Sequence, residues 1–191
     1  MTPLQQSINT FFGVVKAEDL RKVGELFERE EVPAGHFISE QGRTCRQMSL
    51  LAEGLLRVYA HNGEKEVTQW ISTPGYFVTD LSSFVFEQPA RWNIEALTPC
   101  TLYTIDKARY REIGQVVSGW HELEKLFIAK CFTMLEDRIY SHLSMTAEER
   151  YLHFFEQAPE LFNQVPLQYI ASMLGMTPET FSRVRRRVVK G

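Results

Sequence analysis

Cysteine is scarce. The 191 residues include three, Cys45, Cys100 and Cys131, far apart and odd in number. None forms a CxxC pair. That argues against a disulfide framework and against a zinc or iron–sulfur site, and leaves small thiols in or near a core. Long apolar runs are missing as well. No stretch approaches the roughly 18 uncharged apolar residues of a membrane helix. The opening MTPLQQSINTFF has neither the basic n-region nor the apolar h-region of a secretory signal, so a cytoplasmic protein is expected. Histidine is sparse where it would matter for a metalloenzyme. Between residues 32 and 106 only His36 and His61 occur, too few for a cluster of His and carboxylate ligands. No enzyme activity is expected.

Positive charge is in deficit overall, but not everywhere. Lys and Arg number 21 against 24 Asp and Glu, a formal charge of −3. Yet the last nine residues hold Arg183, Arg185, Arg186, Arg187 and Lys190 and no acid. Taking these five from the 21 leaves 16 cations against 24 acids in residues 1–182, a balance of −8. An acidic body with a cationic end directs a polyanion to that end, because local fields select partners more than net charge does.

Apolar periodicity divides the chain. Residues 4–29 read as helical, with Leu4, Ile8, Phe11 and Phe12, then Leu20, Val23, Leu26 and Phe27, recurring at three and four. From Val32 to about Asp106, short β-type runs alternate with turn residues. Within LLRVYAHNGEKEVTQWI, Asn62-Gly63 predicts a tight hairpin turn. Strands at this spacing point to a barrel or jelly roll. From about Ala108 the pattern is helical again. Ile128, Phe132, Leu135, Ile139 and Leu143 make one apolar stripe; Trp120, Leu123, Phe127, Cys131 and Met134 make a second beside it. Either both belong to one wide core-facing surface, or one is a subunit interface. Thr146 and Glu149 have capping-box spacing, so a new helix carrying Tyr151, Leu152, Phe154 and Phe155 starts at Thr146. A domain boundary is placed near Ser144.

The final segment, VPLQYIASMLGMTPETFSRVRRRVV, reads as helix, glycine turn, helix. Leu167, Ile170, Ala171 and Leu174 point inward on the first helix, and Gly175 ends it. Thr177 is a good N-cap, with Pro178 at the first helical position. Phe181, Val184 and Val188 form the inward stripe of the second helix. Glu179, Thr180, Ser182, Arg183, Arg186 and Arg187 mostly face out. This is the pattern of a helix-turn-helix whose second helix enters the major groove. A solvated basic helix end is the plainer alternative.

These residues resemble the Crp/Fnr family, bacterial regulators with a cyclic-nucleotide-binding-type β-roll, a long dimer helix and a C-terminal helix-turn-helix. PAGHFISEQGR and LLAEGLLRVYAHNGEKEVTQWISTPGYFVTDLSSF are similar to its β-roll, and IASMLGMTPETFSRVRRRV to its DNA-reading unit. The resemblance implies an α+β fold. Residues 1–143 would be an N-terminal β jelly roll with flanking helices and a dimerisation helix at about 108–143. Residues 144–191 would be a small all-α helix-turn-helix domain. It implies a homodimeric, sequence-specific DNA-binding transcription regulator, with double-stranded DNA and RNA polymerase as partners and a small-molecule effector. The DNA-binding residues would be Thr177, Glu179, Thr180, Ser182, Arg183, Arg186 and Arg187. Of these, Glu179, Ser182 and Arg183 would read bases, in a TTGA-like half-site. The effector-pocket candidates are Asp80, Leu81, Arg91 and Thr133. A cyclic-nucleotide-binding module with no DNA role is the alternative.

Departures from the family's pattern set further expectations. Its cyclic-AMP binders carry Gly-Glu-Leu for the ribose and an Arg followed by Ser or Thr for the cyclic phosphate. Here the first element reads Thr79-Asp80-Leu81, and Ala90 stands where the phosphate-binding Arg belongs. Arg91 is one place late, which in a strand turns a side chain to the other face. No bound cofactor is expected, cyclic AMP included. The oxygen-sensing branch needs N-terminal cysteines, and none precedes Cys45. The family's hairpin wing would follow the recognition helix, but the sequence stops at Gly191, so DNA contact is expected from the helices alone. Trp70, Phe77, Phe84 and Trp92 either line an apolar cavity or simply fill the core.

Overall fold

The computed structural model describes residues 1–13 and 15–188. Lys190, one of the five terminal cations, lies outside them. Among the described residues, eight strands build two four-stranded antiparallel sheets. They are β1 (Glu28–Val32), β2 (Phe37–Ser39), β3 (Gln47–Glu53), β4 (Leu56–Asn62), β5 (Lys65–Ser72), β6 (Phe77–Val78), β7 (Asn93–Ala96) and β8 (Cys100–Asp106). One sheet runs β1-β8-β3-β6 and the other β2-β7-β4-β5, the strand order of a jelly roll. Leu51, Leu56, Ile94 and Leu102, all but inaccessible, fill the space between the sheets.

Helices α1 (Pro3–Phe12), α2 (Ala17–Gly24), α4 (Lys107–Val116) and α5 (Trp120–Ser144) cover the first sheet. Phe12 stacks on Trp120 and Phe127, with ring centroids 4.9 and 4.5 Å apart. The second apolar stripe of the long helix is therefore the one that faces the core. A short α3 (Leu81–Phe86) interrupts the β region.

Four sequence expectations change. Residues 4–29 are helical only as far as Gly24, in two helices parted at Gly13, whose φ of +90° is left-handed. The β region starts at Glu28, not Val32; strand β1, EREEV, shows no apolar alternation and is recruited by pairing with β8. Asn62 stays in its strand opposite Lys65, so the hairpin turn is Gly63-Glu64, with Gly63 at φ +62°. The long helix expected from about 108 to 143 is α4 and α5, broken before Trp120 where Gly119 takes φ +76°.

The chain continues as α6 (Ala147–Gln157), α7 (Leu161–Gln164), α8 (Leu167–Met173) and α9 (Pro178–Val188). Tyr151, Phe162, Ile170, Ala171 and Phe181 form their core, joined by Leu55 and Ile71 of the roll. Helix α8 rests on the β4–β5 hairpin. The Ser172 hydroxyl accepts a 2.9 Å bond from the Thr68 amide. Arg57, 2% exposed, lies 3.6 Å from the Tyr169 ring and 4.1 Å from the Tyr59 ring, and pairs with Glu66 at 2.7 Å. A buried guanidinium with a carboxylate, two aromatic faces and a bond to Thr68 is compensated on every side.

The capping box at the start of α6 is complete. The Thr146 amide donates to Glu149 at 2.7 Å, and the Glu149 amide to the Thr146 hydroxyl at 3.3 Å. Substituting Thr146→Ala should lower stability by about 1 kcal/mol, read from the urea midpoint. The amide and hydroxyl of Thr146 hold the Glu149 carboxyl below its ordinary pKa. Its contribution is present above the ordinary glutamate value and is lost as pH falls through the lower, folded one.

Candidate functional site

Two places gather polar and charged groups that the fold does not consume. The first is a cavity of about 400 Å³ between the roll and α5. Strand β5 supplies Trp70 and Ser72; β6 and the residue after it supply Phe77, Val78 and Thr79. The start of α3 adds Asp80 and Leu81, and the approach to β7 adds Arg91 and Trp92. Helix α5 closes the cavity with Phe127, Cys131, Met134, Leu135 and Arg138. Burial pushes the Cys131 thiol up, so it lines the wall as an apolar group and not as a thiolate.

Asp80 is 1% exposed and fully engaged. One oxygen accepts from the Ser83 amide at 2.9 Å, capping α3. The other accepts from the Arg91 and Trp92 amides at 2.7 and 3.0 Å. These three donors would suit an external anion, and a built-in carboxylate already occupies them.

Of the four pocket candidates, Asp80, Leu81 and Arg91 line the cavity. The expected slip of Arg91 to the opposite face does not occur. It sits in a bend before β7, where strand parity does not apply, and its exposed side chain borders the cavity. Ala90 is buried and tied by backbone bonds to Gly42 and Arg43; it does not line the cavity. Thr133 is not part of the wall: it lies on the exposed side of α5 and bonds its own helix at the Ala129 carbonyl. Trp70, Phe77 and Trp92 line the cavity, whereas Phe84 is core.

Arg138 escaped the sequence reading, although a signal was there. It follows Phe127, Cys131 and Met134 at helical spacing and so extends the inward stripe. Its guanidinium lies 5.6 Å from the Trp70 ring and donates to the Met173 carbonyl at 3.1 Å. Arg150 donates to the neighbouring Leu174 carbonyl at 3.0 Å. Two arginines thus cap the C-terminal end of α8, where carbonyls lack helical partners.

The second place is α9. Gly175, at φ +69°, turns the chain after α8, and the Thr177 hydroxyl accepts from the Thr180 amide at 3.2 Å. Phe181 and Val184 are buried. Thr177, Glu179, Ser182, Arg183, Arg186 and Arg187 are exposed, with Arg185 beside them, and Thr180 is half-buried. Among the described residues no ion pair joins Glu179 to Arg183, so the two side chains do not hold each other. Glu179's own amide, then the Thr177 hydroxyl, keep its carboxyl below the ordinary range.

A third surface is apolar. On α5 the stripe Ile128, Phe132, Leu135, Ile139 and Leu143 is uncovered, with Phe132 60% and Ile139 59% exposed. Leu81 and Val85 of α3 extend it, lining one groove with Ile128 and Phe132. This is more contiguous apolar surface than scattered exposed residues provide.

Residues 29–115 match the cyclic nucleotide-binding domain family. The match runs from β1 into α4 and so contains the Asp80 and Arg91 side of the cavity; α5, with Arg138, lies beyond it. Solved structures extend the likeness over the rest of the chain. The c-di-GMP-responsive global regulator CLP of Xanthomonas campestris has a TM-score of 0.72 at 14% identity over 92% of each chain. FixK2 of Bradyrhizobium japonicum has a TM-score of 0.70 at 15% identity, covering 86% of this chain and 85% of that one. The catabolite activator protein of Thermus thermophilus reaches 0.60 at 20% identity, over 99% of this chain and 87% of that one. At these identities the likeness is one of fold. No curated protein matches the sequence. Among the described residues, no helix is long and apolar enough to cross a membrane.

Proposed function

We propose that this protein is a homodimeric, sequence-specific DNA-binding transcription regulator of the Crp/Fnr type, controlled by a small molecule in the cavity beside α5. The observation that carries this reading is α9. Its one face is packed by Phe181 and Val184, and the opposite face bears Glu179, Ser182, Arg183, Arg186 and Arg187 in solvent. In a major groove, the N-terminal residues of such a helix meet base edges and its later arginines meet phosphates. Glu179, held ionised, accepts from cytosine N4, and Arg183 bonds guanine O6 and N7. Few cations are available per subunit, so two copies on two half-sites are needed for useful affinity. The uncovered stripe of α5 supports the pairing. The neighbours named as a global regulator linked to gene expression and a catabolite activator support the regulatory reading. Regulation of transcription makes RNA polymerase a further partner and the cytoplasm the site of action. A nucleotide-binding module without a DNA role leaves the four exposed arginines of α9 without a task.

Selection of bound duplexes from a randomised pool tests this. Enrichment of a two-fold palindrome, with TTGA-like arms, is the expected result; a folded protein that enriches nothing even at low salt contradicts it. On the selected site, Arg183→Ala should remove about 1–3 kcal/mol of discrimination at one base pair per arm. Arg187→Ala should instead weaken all sequences alike and reduce the salt slope by about one per subunit. Fluorescence anisotropy over a salt series separates the two.

A further inference from the structure

The cavity beside α5 is lined by two cations, Arg91 exposed at its edge and Arg138 half-buried in its wall, and among the described residues neither forms an ion pair. Among the same residues the Arg138 guanidinium makes one hydrogen bond, to the Met173 carbonyl. Burial works against its charged form, lowering its pKa from the ordinary arginine value. An arginine has five N–H donors, so several remain for a guest. Asp80, the acid on the cavity wall, is already bound to three amides. It also places negative charge where an incoming phosphodiester would otherwise find backbone donors. The rest of the lining is dominated by aromatic and sulfur-bearing side chains, and the volume of about 400 Å³ suits a small organic guest.

We propose that the cavity binds a small aromatic carboxylic acid. Its ring system packs against Trp70, Trp92, Phe127 and Met134, and its carboxylate pairs with Arg138. A planar carboxylate matches the guanidinium fork, and a desolvated partner strengthens the pair. This ligand class rests on the reading of the roll as the sensing half of a regulator. It also identifies how sensing reaches α9. The guanidinium that meets the carboxylate is the one that caps α8 at Met173, two residues before the Gly175 turn.

Isothermal titration of the full chain with 2-naphthylacetate, its neutral amide and cyclic AMP tests the assignment. The acid should bind at least about tenfold more tightly than the amide, as a charge-assisted pair requires. Arg138→Met should abolish that preference by weakening the acid far more than the amide, and Arg138→Lys should retain part of it. Arg91→Gln, which removes the other cation of the lining, should narrow the preference less than Arg138→Met does. Circular dichroism confirms that each variant is folded. Equal binding of acid and amide, no binding of either, loss of the preference in Arg91→Gln instead of Arg138→Met, or tighter binding of cyclic AMP than of the acid would each overturn the proposal. None of these titrations involves DNA, so their failure is distinguishable from failure of the duplex selection.

Discussion

A chain carrying both Phe132→Glu and Ile139→Glu should be a folded monomer. In the single chain these side chains touch water, 60% and 59% exposed, so removing them takes nothing from the core. In a two-fold dimer built along α5 they would be buried, and each patch would meet its own copy. Burying a Phe or Ile side chain is worth about 1.5–3 kcal/mol, and a dimer buries four of them here. Four introduced carboxylates near the axis would add repulsion. The dimer constant should therefore weaken by at least about 10⁴-fold. Affinity for a palindromic duplex should drop by about 100-fold or more, since the second half-site loses its effective concentration. Sedimentation velocity reads the first effect and anisotropy the second, while the urea midpoint of the monomer should hold or rise. A wild-type chain that sediments as a monomer at tens of micromolar would remove the premise.

What the sequence showed, and what it concealed, follows from the range of the interactions involved. The Thr146–Glu149 box, the Gly175 turn and the Thr177-Pro178 start of α9 are decided within a few residues, and each was readable there. Short β-type runs between turn residues were enough to place the roll from β2 onward. Strand β1 was invisible because its polar residues take their conformation from β8, about 70 residues away in sequence. The break between α4 and α5 combines an extended Val117 with a left-handed Gly119, within a sequence whose apolar pattern reads as helical throughout. At the cavity the difficulty was similar. The resemblance drew attention to the 79–91 stretch, but Arg138 comes from a helix outside the matched domain. Arg91 was misjudged by applying strand parity to a residue in a bend.

Asp80→Ala should be among the most destabilising single substitutions at the cavity, and the loss should be reversible by an anion. The carboxylate satisfies the Ser83, Arg91 and Trp92 amides, and so fastens α3 to the segment before β7. Removing it orphans three donors. A buried unsatisfied donor costs about 1–3 kcal/mol, and water entering the cavity would relieve part, so a total of about 3–6 kcal/mol is expected. Asp80→Asn keeps an acceptor oxygen but loses the charge, and should fall between wild type and alanine. The same amides, once vacated, form an anion site with no negative group on top of it. Inorganic phosphate should therefore raise the urea midpoint of Asp80→Ala more than that of wild type, as linkage requires of a ligand bound only by the folded state. A small loss in Asp80→Ala would mean that the backbone around 80–92 holds its shape without the carboxylate. A large loss with no response to phosphate would mean that the segment rearranges when Asp80 is gone. The expected pairing of a large loss with phosphate rescue would identify Asp80 as the chain's own substitute for a bound phosphate, within the segment that matches the cyclic nucleotide-binding domain family.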